Sequence, residues 1–159
     1  MNISILNCIF AWFLFLFSIS DNILAEKSHG FSDQIAWIDF DTAIQDKSRP
    51  TLLILHKSWC PACKNLKPKL AASPEFEQLS QKFSMVNAAE DDKLHENPHF
   101  NIDGGYIPRI FFLDPTGEVL SHMQNSKGNP NYKYFHYNAE SVIESMKLVI
   151  EQFPVKDEL

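Results

Sequence analysis

The chain has 159 residues, 14 Lys and Arg against 20 Asp and Glu, and a formal net charge of −6. An acidic balance of this size argues against nucleic-acid binding, which calls for a basic patch. The chain is long enough for one domain with a core of its own and too short for several.

Residues 3–19 read ISILNCIFAWFLFLFSI, an apolar run without a charge. Its place at the N-terminus and the small residues behind it fit a signal peptide over residues 1–20, with cleavage after Ser20 or Ala25. Residues 26–155 then form one domain, and the last four, Lys156-Asp157-Glu158-Leu159, read as a receptor-recognised address for retention in the lumen of the endoplasmic reticulum. Each end supports the other, because a retention address has meaning only on a chain that enters the lumen. No later segment is apolar for long enough to cross a bilayer, so no stable membrane insertion is expected once the signal is removed.

Within the domain, residues 32–47 partly fit a helical face through Ile35, Ile38, Phe40 and Ile44, with Asp39 or Asp41 near the helix start. Thr51 to His56 is a short apolar run and reads as a buried central strand. Cys60 to Ala72 reads as a helix with Pro68 inside it and Lys64, Lys67 and Lys69 on its exposed side. Ser73-Pro74 restarts a helix, with Ser as cap and Pro at the first position. Residues 83–87 give a second strand, 90–105 an acidic loop, 109–113 a third strand, and Asp114-Pro115-Thr116-Gly117 a turn into a fourth over 118–122. Residues 125–138 form a loop carrying Tyr132, Tyr134, Phe135 and Tyr137, which either packs on itself or meets substrate. An amphipathic helix over 139–153 closes the domain. A parallel unit feeding an antiparallel hairpin predicts an α/β fold, a mixed sheet of four or five strands flanked by helices.

Three cysteines occur, and Cys8 falls in the signal. Cys60 and Cys63 remain, two residues apart in Trp59-Cys60-Pro61-Ala62-Cys63, between the buried strand and a helix. A bridge across so short a loop contributes little as a staple. A thiol at a helix N-terminus, in contrast, faces unpaired N–H groups and the positive end of the macrodipole, which favour thiolate. The spacing assigns Cys60 as the exposed nucleophile and Cys63, one turn inside the helix, as the shielded resolving thiol. A zinc site using His95 and His99 fits less well, because about 31 residues separate the Cys pair from the His pair, against the usual 12 to 15. No metal is therefore expected.

The Trp59-Cys60-x-x-Cys63 string after an apolar strand, Pro68 five residues beyond the second cysteine, and Gly105-Tyr106-Ile107-Pro108-Arg109 together resemble the thioredoxin superfamily. The strings His56-Lys57-Ser58-Trp59-Cys60 and Asp103 to Ile110 are similar to its branch of small reticulum-resident proteins related to the anterior-gradient proteins. The resemblance implies a thioredoxin fold, a cis Pro108 beside a redox-active Cys60–Cys63 pair, and client pairing at Ile107. It also implies client proteins as partners, glutathione as the redox couple and no bound cofactor, while the terminal address implies the retention receptor as a partner. The buried acid that many members carry six residues before the first cysteine is here Ile54. His56 and Lys57 flank the site and either assist by charge and proton transfer or form a solvated strand end. The Pro61-Ala62 dipeptide leaves the redox direction open. The alternative to an oxidoreductase is an anterior-gradient-like client-binding or chaperone module, and the presence of Cys63 is what separates them.

Overall fold

In a computed structural model the described residues are 27–90 and 92–155. The expected signal peptide, its cleavage sites, Cys8 and the terminal retention address lie outside them. In chain order the elements are α1 (Phe40–Gln45), β1 (Thr51–Leu55), α2 (Pro61–Ala71), α3 (Pro74–Ser80), β2 (Ser84–Ala88), β3 (Arg109–Leu113) and α4 (Ala139–Gln152). Two single-turn 3-10 helices, Lys93–His95 and Pro98–Phe100, interrupt the loop before β3.

β1 lies at the centre of the sheet, parallel to β2 and antiparallel to β3. All five of its residues are buried, as an apolar strand covered on both faces requires. Alternation then sorts its side chains into two cores. Leu52 and Ile54 join Ile110, Phe112, Leu66, Phe76 and Val142 beneath α2, α3 and α4. Leu53 and Leu55 join Val86, Phe111, Ala43, Phe100 and Tyr134 on the opposite face.

The sheet has three strands, and the expected fourth and fifth are reduced to single bridges. Residues 118–122 meet β3 only at Leu113–Val119, with Leu120 N–H donating to the Phe112 carbonyl at 2.8 Å. Gly117, at φ +96°, makes the tight turn that only glycine accepts without strain. The chain then turns away through Ser121 N–H to Val119 O and Met123 N–H to Leu120 O. The rest of that edge is closed from the aromatic loop, where the Tyr134 carbonyl accepts from Ile110 N–H at 2.9 Å. Two segments thus share an edge that one strand was expected to cover.

The first helix is also shorter than its apolar spacing suggests. Residues 35–38 are not helical: Trp37 N–H bonds the Ile35 carbonyl in a tight turn, Trp37 bridges Met85 of β2, and Ile38 N–H bonds the Met85 carbonyl. Ahead of this bridge, residues 27–34 fold back over the end of β1. Trp37 Nε1 donates to Ser32 O at 2.9 Å, and Asn87 Nδ2 to Lys27 O at 2.9 Å. His29 at φ +47° and Ser32 at φ +135° take backbone conformations that L side chains rarely adopt. The hydrogen bonds and the fully buried Phe31 hold this segment in place.

Candidate active site

β1 delivers His56 and Lys57 to the top of the sheet, and the chain turns through Trp59 into α2. Cys60 is the N-cap of α2 at φ −73°, ψ 120°, and Pro61 holds the first helical position, where its missing N–H costs nothing. The Cys60 sulfur takes the place of a capping oxygen: it accepts from Cys63 N–H at 3.3 Å. On its other side the Cys60 Sγ lies 3.6 Å from the Ile107 carbonyl. The Ile107–Pro108 peptide is cis. Local helix capping and the loop before β3 therefore bring Cys60, Cys63, Ile107 and Pro108 together.

Both cysteines are free thiols. Cys60 is more enclosed than a helix-opening residue was expected to be, 5 % exposed against 0 % for Cys63. The backbone around Ile107 crosses its front. Trp59, at 64 % exposed, stands beside it in solvent. Burial pushes the Cys63 thiol well above its ordinary range, and the neighbouring Cys60 adds to this. The backbone N–H of Lys57 and the ammonium of Lys67 act in the opposite direction. The acid-replacing Ile54 is fully buried in the core beneath.

His56 is not a solvated strand end. It is 1 % exposed, with its ring 4.9 Å from Phe31 and 5.4 Å from His29. Neither ring nitrogen has a partner in hydrogen-bond geometry. Burial lowers its pKa from 6.5 to about 3, reinforced by Lys67 and His29, while Asn87 and Glu90 oppose the shift more weakly. Lys57 is half-buried. Glu90, from the loop after β2, accepts from Ser58 N–H, and Ser58 holds its carboxyl down at about 2. Lys67 is the residue that helical periodicity misplaced. Its Nζ stands 5.3 Å from the Phe31 ring centroid, half-buried under the folded-back segment rather than in open solvent.

A cleft of about 590 Å³ opens beside the pair, walled by Lys57, Trp59, Gly105, Ile107 and, at its base, Arg109. Arg109 is 1 % exposed and holds the loop that presents Ile107, donating from Nη1 to the carbonyls of Phe100 and Gly104. Tyr106 completes the clamp: its hydroxyl donates to Asp103 Oδ2 at 2.6 Å and accepts from Tyr134 N–H at 2.9 Å. Sequence reading named Arg109 only as part of a motif. Replacing it with methionine orphans two buried carbonyls and is expected to cost about 2 kcal/mol, read as a lowered urea midpoint at unchanged slope.

One of the expected loop aromatics packs inward: Tyr134 is buried against Phe111 at 4.6 Å, while Tyr132, edge-on to Tyr106 at 4.9 Å, and Tyr137 are exposed. His95 faces the Ala88 carbonyl at 3.3 Å, apart from the cysteines. Among the described residues no group of three or more His, Cys, Asp or Glu is gathered to hold a metal ion.

A paired-thiol helix start, a cis proline facing it and a mixed sheet behind are the features of a thioredoxin-like protein, and a family model of that description matches residues 40–115. The chain is 32 % identical over 130 residues to anterior gradient protein 3 of Xenopus tropicalis, covering 77 % of this chain and 76 % of that one. It is 27 % identical over 128 residues to the human anterior gradient protein 2 homolog, covering 78 % and 71 %. A thioredoxin from Thermus thermophilus superposes with a TM-score of 0.50 at 16 % identity, covering 74 % of this chain and 89 % of that one, which speaks for the fold alone. The chain belongs to the anterior gradient family of thioredoxin-like proteins.

Proposed function

We propose that the protein is a thiol–disulfide oxidoreductase of the endoplasmic reticulum lumen that reduces disulfides of client proteins, with glutathione restoring its thiols. The observation that carries this reading is the double contact of the Cys60 sulfur, with the Cys63 backbone on one side and the Ile107 carbonyl on the other. It puts the attacking thiol beside both its resolving partner and the backbone on which an extended client segment can pair. The strings around His56–Cys60 and Asp103–Ile110 also resemble thioredoxin domain-containing protein 12, a small reticulum-resident relative of the anterior-gradient proteins.

The chemistry is two successive displacements. The Cys60 thiolate attacks one client sulfur, forming a mixed disulfide and releasing the other as thiolate. Cys63 loses its proton and attacks the Cys60 sulfur, closing the Cys60–Cys63 disulfide and releasing the second client thiolate. The client gains two electrons and the cysteine pair loses two. Glutathione, two molecules per cycle, returns them and leaves as its disulfide.

Equilibration against glutathione buffers, followed by alkylation and mass measurement, tests the reading. One two-electron transition is expected at a potential between about −270 and −180 mV. A pair that stays reduced in the most oxidising buffer would favour the client-binding module that membership of the anterior gradient family keeps in view. The lumenal part of the proposal rests on the signal peptide and retention address, and on the family. Deleting residues 156–159 is expected to move the protein from cell extract to medium, as measured by immunoblot.

A further inference from the structure

We propose that Lys67 compensates for the missing buried acid by a different route: one helical turn beyond Cys63, its ammonium is a held cation that stabilises the Cys63 thiolate while it resolves the mixed disulfide. The inference rests on the exchange reading above and deepens it. Lys67 lies four residues beyond Cys63 on α2, hence one turn along the same helix face. Its side chain is held there rather than free to leave. The ammonium sits over the Phe31 ring at 5.3 Å, and a Cβ built at Gly30 would lie 3.9 Å from its Cδ. Phe31 is itself fully buried against His56, the residue that follows β1.

The charged and titratable groups facing Lys67 come from each element packed around it. They are Cys60, Cys63 and Lys64 on α2, Glu90 after β2 and His56 at the end of β1, with His29 of the folded-back segment beside His56. His56 is buried and neutral, and Glu90 is engaged by Ser58. Neither takes the place of the acid. Ile54 contributes no charge.

In the resolving step the Cys63 proton passes to solvent and the thiolate forms under the field of the Lys67 ammonium. The new Cys60–Cys63 bond forms as the Cys60–client bond breaks, and the leaving client sulfur carries the electron pair away. Burial lowers the Lys67 pKa while Cys63, Glu90 and Cys60 oppose the shift, and Lys67 exchanges no proton in this step, which makes it a positioning residue in the electrostatic sense.

The test uses full-length protein carrying Cys8→Ser, so that only two thiols react, mixed with one equivalent of a chromogenic aromatic disulfide. The first equivalent of arylthiolate reports attack by Cys60, the second reports resolution by Cys63. Lys67→Gln is expected to slow the second phase about tenfold and raise its pH midpoint by about one unit, since a shift of one unit is a tenfold change in thiolate population. The first phase should change less, and Lys67→Arg should keep the second within about threefold of the parent. A Lys67→Gln second phase with the parent's rate and pH midpoint overturns the proposal. So does a Lys67→Arg protein as slow as Lys67→Gln with an unmoved midpoint, which would mean a packing role only. A parent protein that releases a single equivalent would instead overturn the exchange reading, and this inference with it.

Discussion

Replacing Cys63 with serine is expected to turn the protein from a catalyst into a trap, with mixed disulfides accumulating on Cys60 and turnover falling more than about a hundredfold as an intramolecular attack is lost. The fold should survive the change. Cys63 contributes its backbone N–H to the Cys60 sulfur, and serine keeps that N–H. The serine hydroxyl is smaller than the thiol, so it fits the same buried place. Cys60→Ser should behave differently. The remaining thiol is 0 % exposed and held protonated by burial, so it neither meets a client nor attacks one well. Non-reducing electrophoresis of clients captured by each variant distinguishes the two. Equal capture by both variants, or turnover retained in Cys63→Ser, would contradict the assignment of attack to Cys60 and resolution to Cys63. Capture by neither would favour a client-binding module without exchange.

Much of this site was legible because its signals are local. The apolar run at Thr51–Leu55 can only be a strand covered on both faces, and Pro61 and Ser73-Pro74 mark helix starts by their own chemistry. β3 falls at the expected residues, 109–113, for the same reason. What escaped the sequence depends on contacts between distant segments. The fourth strand fails because β3's outer edge is shared with Tyr134, some fourteen positions beyond the hairpin partner. The first helix is cut short because Trp37 prefers pairing with Met85 to continuing an apolar helical face. The sequence leaves His56 open between a proton-transfer role and a solvated strand end and puts Lys67 on an exposed helix face, whereas the structure covers both. A single cause accounts for both: residues 27–34 fold over the top of β1 and place Phe31 between them. Nothing in the periodicity of β1 or α2 encodes that cover, since it is a tertiary choice of a segment that has hardly any regular structure.

The same cover makes the fold sensitive to acid, and the expected loss begins well above the carboxylate range. His56 is depressed from 6.5 to about 3, and His136, fully buried with Nδ1 against Ser141 Oγ at 3.0 Å, from 6.5 to about 4. Burial is the leading cause in both. Between these values the unfolded chain binds protons that the folded chain refuses, so stability is complete above pH 6.5 and falls as pH drops. The His136 contribution levels off near pH 4 and that of His56 continues toward pH 3. Together they remove between about 3 and 6 kcal/mol by pH 4, a large part of a typical domain's stability. Asp46 and Asp114, whose carboxyls are held low by hydrogen bonds from Ser48 and Thr116, and Glu90 act in a later window, below about pH 4. Urea unfolding at half-unit steps from pH 7.5 to 4 separates the two windows. His56→Phe is the informative variant: the native ring makes no hydrogen bond to lose, and phenylalanine keeps the edge contact with Phe31. It is expected to remove about half of the slope between pH 6.5 and 4.5 while leaving stability at pH 7.5 within about 1 kcal/mol. An unchanged slope in this variant, or a flat profile in the native protein down to pH 4.5, would mean that His56 is reached by protons without unfolding.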